Sequence, residues 1–285
     1  MIFLIFTFVI LTYKNFSDTV ECIDSILTNI TCKNNIVIVD NGSKDSTFSK
    51  IKNKYNNYKH IYFLEMNDNL GFAKGNNAGF LFAKNNLHSD FICLLNNDTL
   101  IYQKDFIDIC INDYKQHNYF VLGPSITCTV DNSEQNPHGL AIPTKSSTIK
   151  LILKNSFLLL LTYIPSLYEK LKSNENSKIN NKTINTNIVF SENVNLNGCC
   201  LIFSPLYIKK KDGLFSKTFM YCEEEILFYQ CIKENMKTIF DPKIKIFHKD
   251  GCSTNLVLNN DAFKKRRFYY KNTIYSSIQL LKLMF

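Results

Sequence analysis

The sequence predicts an α/β fold in which a mainly parallel central sheet is flanked by helices. Three observations predict it. Strand and helix patterns alternate through the first 125 residues. The strand segments are apolar on both faces, as strands covered on both sides by helices must be. Each of the first strands also runs into a short polar segment of Asn, Asp, Ser or Thr. With 285 residues, 45% of them hydrophobic, the chain has ample apolar surface for a buried core.

The opening MIFLIFTFVILTY has no basic residue before its apolar run and leads into Tyr13-Lys14-Asn15 rather than a small-residue cleavage site. It is too short to span a bilayer, so it reads as a buried strand over 2–11 that starts the fold at residue 1 or 2. Helix 17–30, strand 36–40, helix 44–55, strand 60–65, helix 72–86 and strand 91–95 follow, in βαβ rhythm. A strand near 120–126 comes next. Residues 144–190 then read as an insertion, in which an apolar patch over 151–164 forms a helical flap and a Lys/Asn/Ser-rich stretch forms a mobile loop. Regular structure resumes over 194–204, with a helix over 222–235 and strands at 238–240 and 244–248. The last 25 residues read as a basic, amphipathic helix.

Composition excludes several classes. The formal charge is +8, and the one dense basic run, Lys264-Lys265-Arg266-Arg267 beside Phe268, Tyr269 and Tyr270, comes without a zinc-finger spacing, RNA-binding signature or helix-turn-helix pattern, so no nucleic-acid partner is expected. Ten cysteines without a CxxC pair read as small core residues of a reduced, cytosolic protein, the adjacent Cys199 and Cys200 needing a separate reason. There is no GxGxxG after the first strand and no GxxxxGK[ST], which removes dinucleotide-binding and P-loop sites. Gly71, Gly75 and Gly79, spaced by four, suit one face of a helix.

In parallel sheets ligands bind beyond the carboxyl ends of the strands, here 12–14, 40–43, 67–69 and 96–99. Two carboxylates stand there, Asp40 and Asp98, and a carboxylate on a loop rim can accept hydrogen bonds from a nucleobase and ribose. One at a polar turn, such as Asn96-Asn97-Asp98-Thr99, can instead ligate Mg²⁺ or Mn²⁺ and so neutralise a diphosphate leaving group. Both are also ordinary turn-forming residues.

The arrangement resembles the family-2 glycosyltransferases over nearly the whole chain, closest to the rhamnosyltransferase-like enzymes of bacterial surface-polysaccharide assembly. The resemblance rests on Thr12-Tyr13-Lys14-Asn15, the stretch from Val39-Asp40-Asn41-Gly42-Ser43 to Thr47, the stretch from Asn69-Leu70-Gly71 through Lys74-Gly75-Asn76 to Gly79, Asn96-Asn97-Asp98, Asn197-Gly198, Met220-Tyr221-Cys222-Glu223-Glu224 and His248. It implies a GT-A-type fold with a C-terminal acceptor-side region. Residues 1–125 would form the nucleotide-sugar-binding half, residues 126–260 the acceptor-side and catalytic-base half of the same domain, and 261–285 the C-terminal helix.

By the same resemblance Thr12, Tyr13, Asp40, Gly42, Ser43, Asn69, Gly71, Lys74, Asn76 and Asn97 serve the nucleotide, and Asp98 and His248 the metal. The family's DxD triplet is reduced here to Asn96-Asn97-Asp98, which implies a weakly held ion completed by the diphosphate. The family's acidic pair falls on Glu223 and Glu224, with Glu225 a third candidate. Consecutive helix residues point about 100° apart, so at most two of the three face the reaction centre, and Glu224 takes the position of the family's base.

The implied reaction is inverting transfer of a sugar from a UDP- or dTDP-linked donor, dTDP-rhamnose among them, to a hydroxyl of a glycan or lipid-linked acceptor. Two rival functions fit the residues less well. A sugar-nucleotide pyrophosphorylase needs a glycine-rich loop with Arg and Lys after the first strand, and Thr12-Tyr13-Lys14-Asn15 offers neither glycine nor Arg. A non-catalytic binding protein of the same fold has no need of intact Asp40, Asp98, Glu223, Glu224 and His248 together. The basic run before 274–285 and the apolar patch 151–164 suit peripheral contact at the inner face of the cytoplasmic membrane, against the alternative that the C-terminal helix simply packs on the domain.

Overall fold

The computed structural model describes residues 4–171, 189–249 and 261–285. Strands β1 (Phe6–Thr12), β2 (Asn34–Asp40), β3 (Ile61–Glu65) and β4 (Phe91–Asn96) alternate with helices α1 (Phe16–Asn29), α2 (Thr47–Tyr55) and α3 (Phe72–Asn85). There follow β5 (Thr99–Leu100), α4 (Phe106–His117), β6 (Val121–Cys128), α5 (Lys145–Leu161), β7 (Ser191–Glu192), β8 (Cys200–Phe203), α6 (Pro205–Lys210), α7 (Glu223–Lys233), β9 (Thr238–His248) and α8 (Ala262–Leu283).

Among the described residues the strands make one sheet, ordered β3-β2-β1-β4-β8-β6-β9-β5, with β7 also on β9. The pairs β3·β2, β2·β1, β1·β4 and β6·β9 are parallel, while β8 runs antiparallel to both β4 and β6. The mainly parallel, helix-flanked sheet of the sequence reading is therefore present.

Strand alternation divides the core into two layers. Phe6, Phe8 and Ile10 of β1 point to one face, where they meet Ile23 and Ile26 of α1 and Phe106 of α4. Val9, with Val37 and Val39 of β2, points to the other, against Phe80 of α3 and Tyr207 of α6. The glycines spaced by four bring α3 close to β1: a Cβ at Gly79 would lie 2.3 Å from Val9 Cγ1, and one at Gly75 2.6 Å from Leu11 Cδ1.

The structure corrects the element reading at four places. β1 starts at Phe6, paired with Asn34 and Phe91, and Leu4 is exposed; residues 1–3 of the expected strand lie outside the described residues. Helix α4 and the short α6 were not anticipated. The two strands expected at 238–240 and 244–248 are one element, β9, whose register against β6 shifts between Pro124 and Ser125. The helical flap is α5, opened by a capping box in which Thr144 and Ser147 satisfy each other's backbone N–H groups; the expected mobile loop after residue 164 is helical over 165–171, and its 172–188 part lies outside the described residues.

The cysteines behave as core residues. All the described ones are free and all but Cys32 are buried; Cys252 lies outside the described residues. Cys93 and Cys200 meet in the core with sulfurs 3.7 Å apart, and burial pushes the Cys22 thiol up to about 12, which leaves it an inert packing group. The adjacent cysteines part company: Cys200 packs in β8 while Cys199 reaches the cleft described next.

Candidate active site

Because β1, β2 and β4 end flush, Thr12 beside Asp40 and Leu11 beside Asn96, their polar carboxyl ends form one rim. A cleft of about 670 Å³ opens there. One wall is made by Thr12, Tyr13, Asn41, Asn69, Asn97 and Asp98. Facing them are Asn197, Gly198, Glu223, Glu224, Glu225 and His248.

On the first wall the buried polar side chains hold loops in place. Thr12 Oγ1 meets Thr19 Oγ1 at 2.8 Å, and Asn97 Nδ2 donates to the same Thr19 oxygen at 2.9 Å. Asn41 donates to Asn69 Oδ1 and to the Gly71 carbonyl and accepts from Leu70 N–H, so it locks the loop after β3 to the end of β2. Asp40 lies behind the rim: it accepts from Ser43 N–H at 3.0 Å and from the Ser43 hydroxyl, which itself accepts from Lys14 N–H. Gly42 and Gly71 have φ of +74° and +81°, and a Cβ at Gly71 would lie 2.2 Å from Phe219 O, so only glycine fits there. Lys74 is exposed on a separate groove with Asn77 and Asp212. Asn76 is buried and bonds back to Phe72 O. Of the residues assigned to the nucleotide, then, Thr12, Tyr13, Asn69 and Asn97 line the cleft, while Asp40, Gly42, Ser43, Gly71, Lys74 and Asn76 shape the loops and helix behind it.

The second feature is a carboxylate and an imidazole brought together by the shortest strand. β5 pairs antiparallel with β9, setting Thr99 opposite His248, and Lys249 N–H donates to Asp98 O at 3.0 Å. Asp98 Oδ1 then faces His248 Nε2 at 3.3 Å. His248 Nδ1 lies 2.7 Å from Gln135 Oε1, so in the neutral ring Nδ1 carries the proton and Nε2 presents a lone pair. Asp98 Oδ1 is buried and makes no hydrogen bond among the described residues. Two acceptors facing each other across 3.3 Å fit a cation bound between them. Among the described residues no cluster of three or more His, Cys, Asp or Glu forms.

The third feature is the start of α7. Tyr221 and Cys222 both adopt left-handed backbone, φ +70° and +64°, a costly pair for non-glycine residues that swings the first turn of α7 into the cleft. Glu224 Oε1 accepts from Gly198 N–H at 3.2 Å, which ties the two motifs together. Glu223 is buried; desolvation, then the neighbouring Glu224 charge, push its carboxyl from 4.5 to about 8, with the Thr218 hydroxyl opposing. Its Oε1 makes no hydrogen bond among the described residues. Glu225 is raised by burial and by the Glu224 charge. At neutral pH Glu223 is therefore a neutral acid beside Glu224.

Helix α8 closes the cleft. Its Phe268 and Tyr269 line it and pack on the loop before α7, with Tyr269 4.8 Å from Tyr221 and Phe268 6.3 Å from Phe219. Ser276 Oγ donates to Met220 O. Of the basic run, Arg266 pairs with Glu169 at 2.6 Å and stacks on Tyr168, and Arg267 stacks on Tyr163. Both guanidinium groups are thus turned to the α5 side of the molecule, and Tyr168 and Tyr270 share a hydrogen bond of 2.7 Å.

Some residues at the site escaped sequence reading. Asn41 sat unremarked inside a matching stretch. Gln135, which orients His248, and Asn136, whose Oδ1 accepts from Asn197 N–H at 2.9 Å, lie in a loop with no recognisable pattern. Phe219, Tyr221, Phe268 and Tyr269 form an aromatic wall that only packing reveals.

Solved structures of similar fold include the S. aureus TarS 1–349 fragment, with a TM-score of 0.56 at 12% identity, and the same fragment in complex with UDP, at 0.57 and 13%; each alignment covers 98% of this chain and 64% of that one. Another S. aureus TarS structure aligns with a TM-score of 0.53 at 15% identity, over 85% of this chain and 36% of that one. This chain thus spans just under two thirds of the TarS fragment, and identities this low speak to the fold alone. A comparison with curated protein sequences finds no match. Residues 7–202 match the family model described as glycosyl transferase family 2, and the chain belongs to that family.

Proposed function

We propose that the protein is an inverting glycosyltransferase that moves a sugar from a UDP- or dTDP-linked donor to a hydroxyl of a glycan or lipid-linked acceptor, in surface polysaccharide assembly at the inner face of the cytoplasmic membrane. The observation that carries this reading is the meeting, in one cleft at the strand ends, of the Asp98–His248 pair with the glutamates of α7. The likeness in fold to a TarS fragment solved with UDP supports a nucleoside-diphosphate donor.

Thr12, Tyr13, Asn69 and Asn97 contact the nucleotide, held in place by Asn41 and the Asp40–Ser43 turn. Asp98 and His248 would hold Mg²⁺ or Mn²⁺, which supplies charge stabilisation to a departing diphosphate. Glu224 takes the proton from the acceptor hydroxyl as its oxygen bonds to the anomeric carbon. The bond from that carbon to the diphosphate oxygen breaks on the opposite side, so configuration inverts. Glu223, kept neutral by burial, donates a hydrogen bond to bound substrate.

The test is a screen of UDP- and dTDP-sugars with Mn²⁺ or Mg²⁺, read as released nucleoside diphosphate. Turnover that requires the divalent ion and is lost in Glu224→Gln supports the reading. Tight UDP binding without turnover for any donor would instead identify a binding protein of the same fold.

A further inference from the structure

Helix α5 packs one side against α8, with Thr148, Asn155 and Leu161 buried, and presents Leu151 to the cleft. Its remaining face is apolar and open to water. Ile149, Leu153, Phe157 and Leu160 recur at the three- and four-residue spacing of one helix face, and Ile164 and Leu167 extend the patch into the next turn. Leu153, Phe157 and Leu160 are 64%, 56% and 69% exposed, and they lie contiguously rather than scattered singly as on an ordinary surface.

Charge says what covers this face. Helix α5 contains no Asp or Glu, and Lys150 and Lys154, both exposed, border the stripe on one flank, while Lys145 on the other holds its ammonium over the Phe285 ring. An apolar stripe edged by lysines suits an interfacial helix lying in the headgroup region, its lysine stems reaching up to anionic headgroups. No described helix is long and apolar enough to cross a membrane.

We infer that the outward face of α5, rather than the Lys264–Arg267 run, docks the protein on an anionic lipid surface, which places the cleft next to an acceptor whose own anchor lies in that bilayer. The inference rests on the transferase reading of the cleft for the acceptor, but its docking surface is tested separately.

The chain contains no tryptophan, so Leu160→Trp introduces a single reporter at the centre of the stripe. Tyr58→Trp, exposed near the amino end of β3, serves as the control. Vesicles of phosphatidylglycerol mixed with phosphatidylcholine should shift Leu160→Trp emission to the blue and brominated lipids should quench it, while Tyr58→Trp stays unchanged. Replacing Lys150 and Lys154 with Ala should weaken partition about 30-fold at low salt, and high salt should weaken it in the parent. UDP binding in the presence of Mn²⁺, measured on the same variants, should be unaffected. No shift on anionic vesicles in a protein that still binds UDP overturns the docking surface, as does an equal response to neutral vesicles, or a blue shift that grows with protein concentration and needs no lipid, which would mean a second copy covers the stripe. Vesicle binding without turnover of any nucleotide-sugar would leave the surface standing and overturn the transferase reading instead.

Discussion

Gly198→Ala should disable the enzyme without unfolding it. An added Cβ at residue 198 would lie 2.5 Å from Glu224 Oε1, whereas carbon and oxygen approach no closer than about 3.3 Å without strain. The backbone at Gly198 is not left-handed, so alanine is conformationally acceptable, and the yielding atom is the end of a flexible side chain. The carboxylate therefore moves by about 0.8 Å, and the 3.2 Å bond from Gly198 N–H lengthens. Displacement of a reacting group by roughly 1 Å costs about 10²-fold in rate. The expected result is turnover reduced by about 30- to 100-fold, read as released nucleoside diphosphate, with Tm and the calorimetric affinity for UDP unchanged. Wild-type turnover in Gly198→Ala would refute the placement of the base against this glycine. An equal loss of UDP affinity would mean that the contact serves the donor instead.

Three further outcomes are expected. Asp98→Ala should abolish turnover and remove the Mn²⁺ dependence of UDP binding while keeping the fold, since a polar turn contributes little packing; calorimetry with and without EDTA checks it. Glu224→Gln should lower turnover about 10²- to 10⁴-fold with donor affinity kept, and a deeper loss in Glu223→Gln would reassign the base. The third concerns stability against pH. Glu223 has a folded-state pKa of about 8 against 4.5 for the free group, so between those values the native state holds a proton that the unfolded chain has released. Its contribution is fully present below about pH 4.5 and is lost as pH rises through about 8, at up to about 1.4 kcal/mol per pH unit. Urea melts across that window should fall less steeply for Glu223→Gln than for wild type, and parallel curves would show that Glu223 is not held protonated.

Much of the first half was legible in the sequence because β1, β2 and β4 are apolar on both faces and end in polar turns, a pattern that local chemistry alone imposes. Helix α4 was not, because Asp113, itself buried, interrupts its apolar face. The Asp98–His248 pairing depends on the register of a two-residue strand, which leaves no periodicity to read, and only the family resemblance joined the two residues. Gln135 and Asn136 act through single long-range hydrogen bonds, and such bonds have no sequence signature. Residues such as Asp40 and Asn76 stand in matching stretches yet face inward, since a motif records which residues a loop needs without saying which of them touch the ligand. The stripe on α5 was legible as apolar, but its exposure is a property of packing.

The pairing of β5 with β9 also sets when Asp98 and His248 can meet. Asp98 and His248 are separated by 150 residues of chain, so at ribosomal rates of about 5–20 residues per second the turn bearing the carboxylate waits roughly 8–30 s for its histidine to be made. The parallel strands that carry the donor loops can pair during that interval, whereas Glu224 and His248 both lie beyond the stretch 7–202 that matches the family model. In the proposed reading, a nascent chain ending at residue 202 lacks both the base and the imidazole, because Glu224 and His248 have yet to be made.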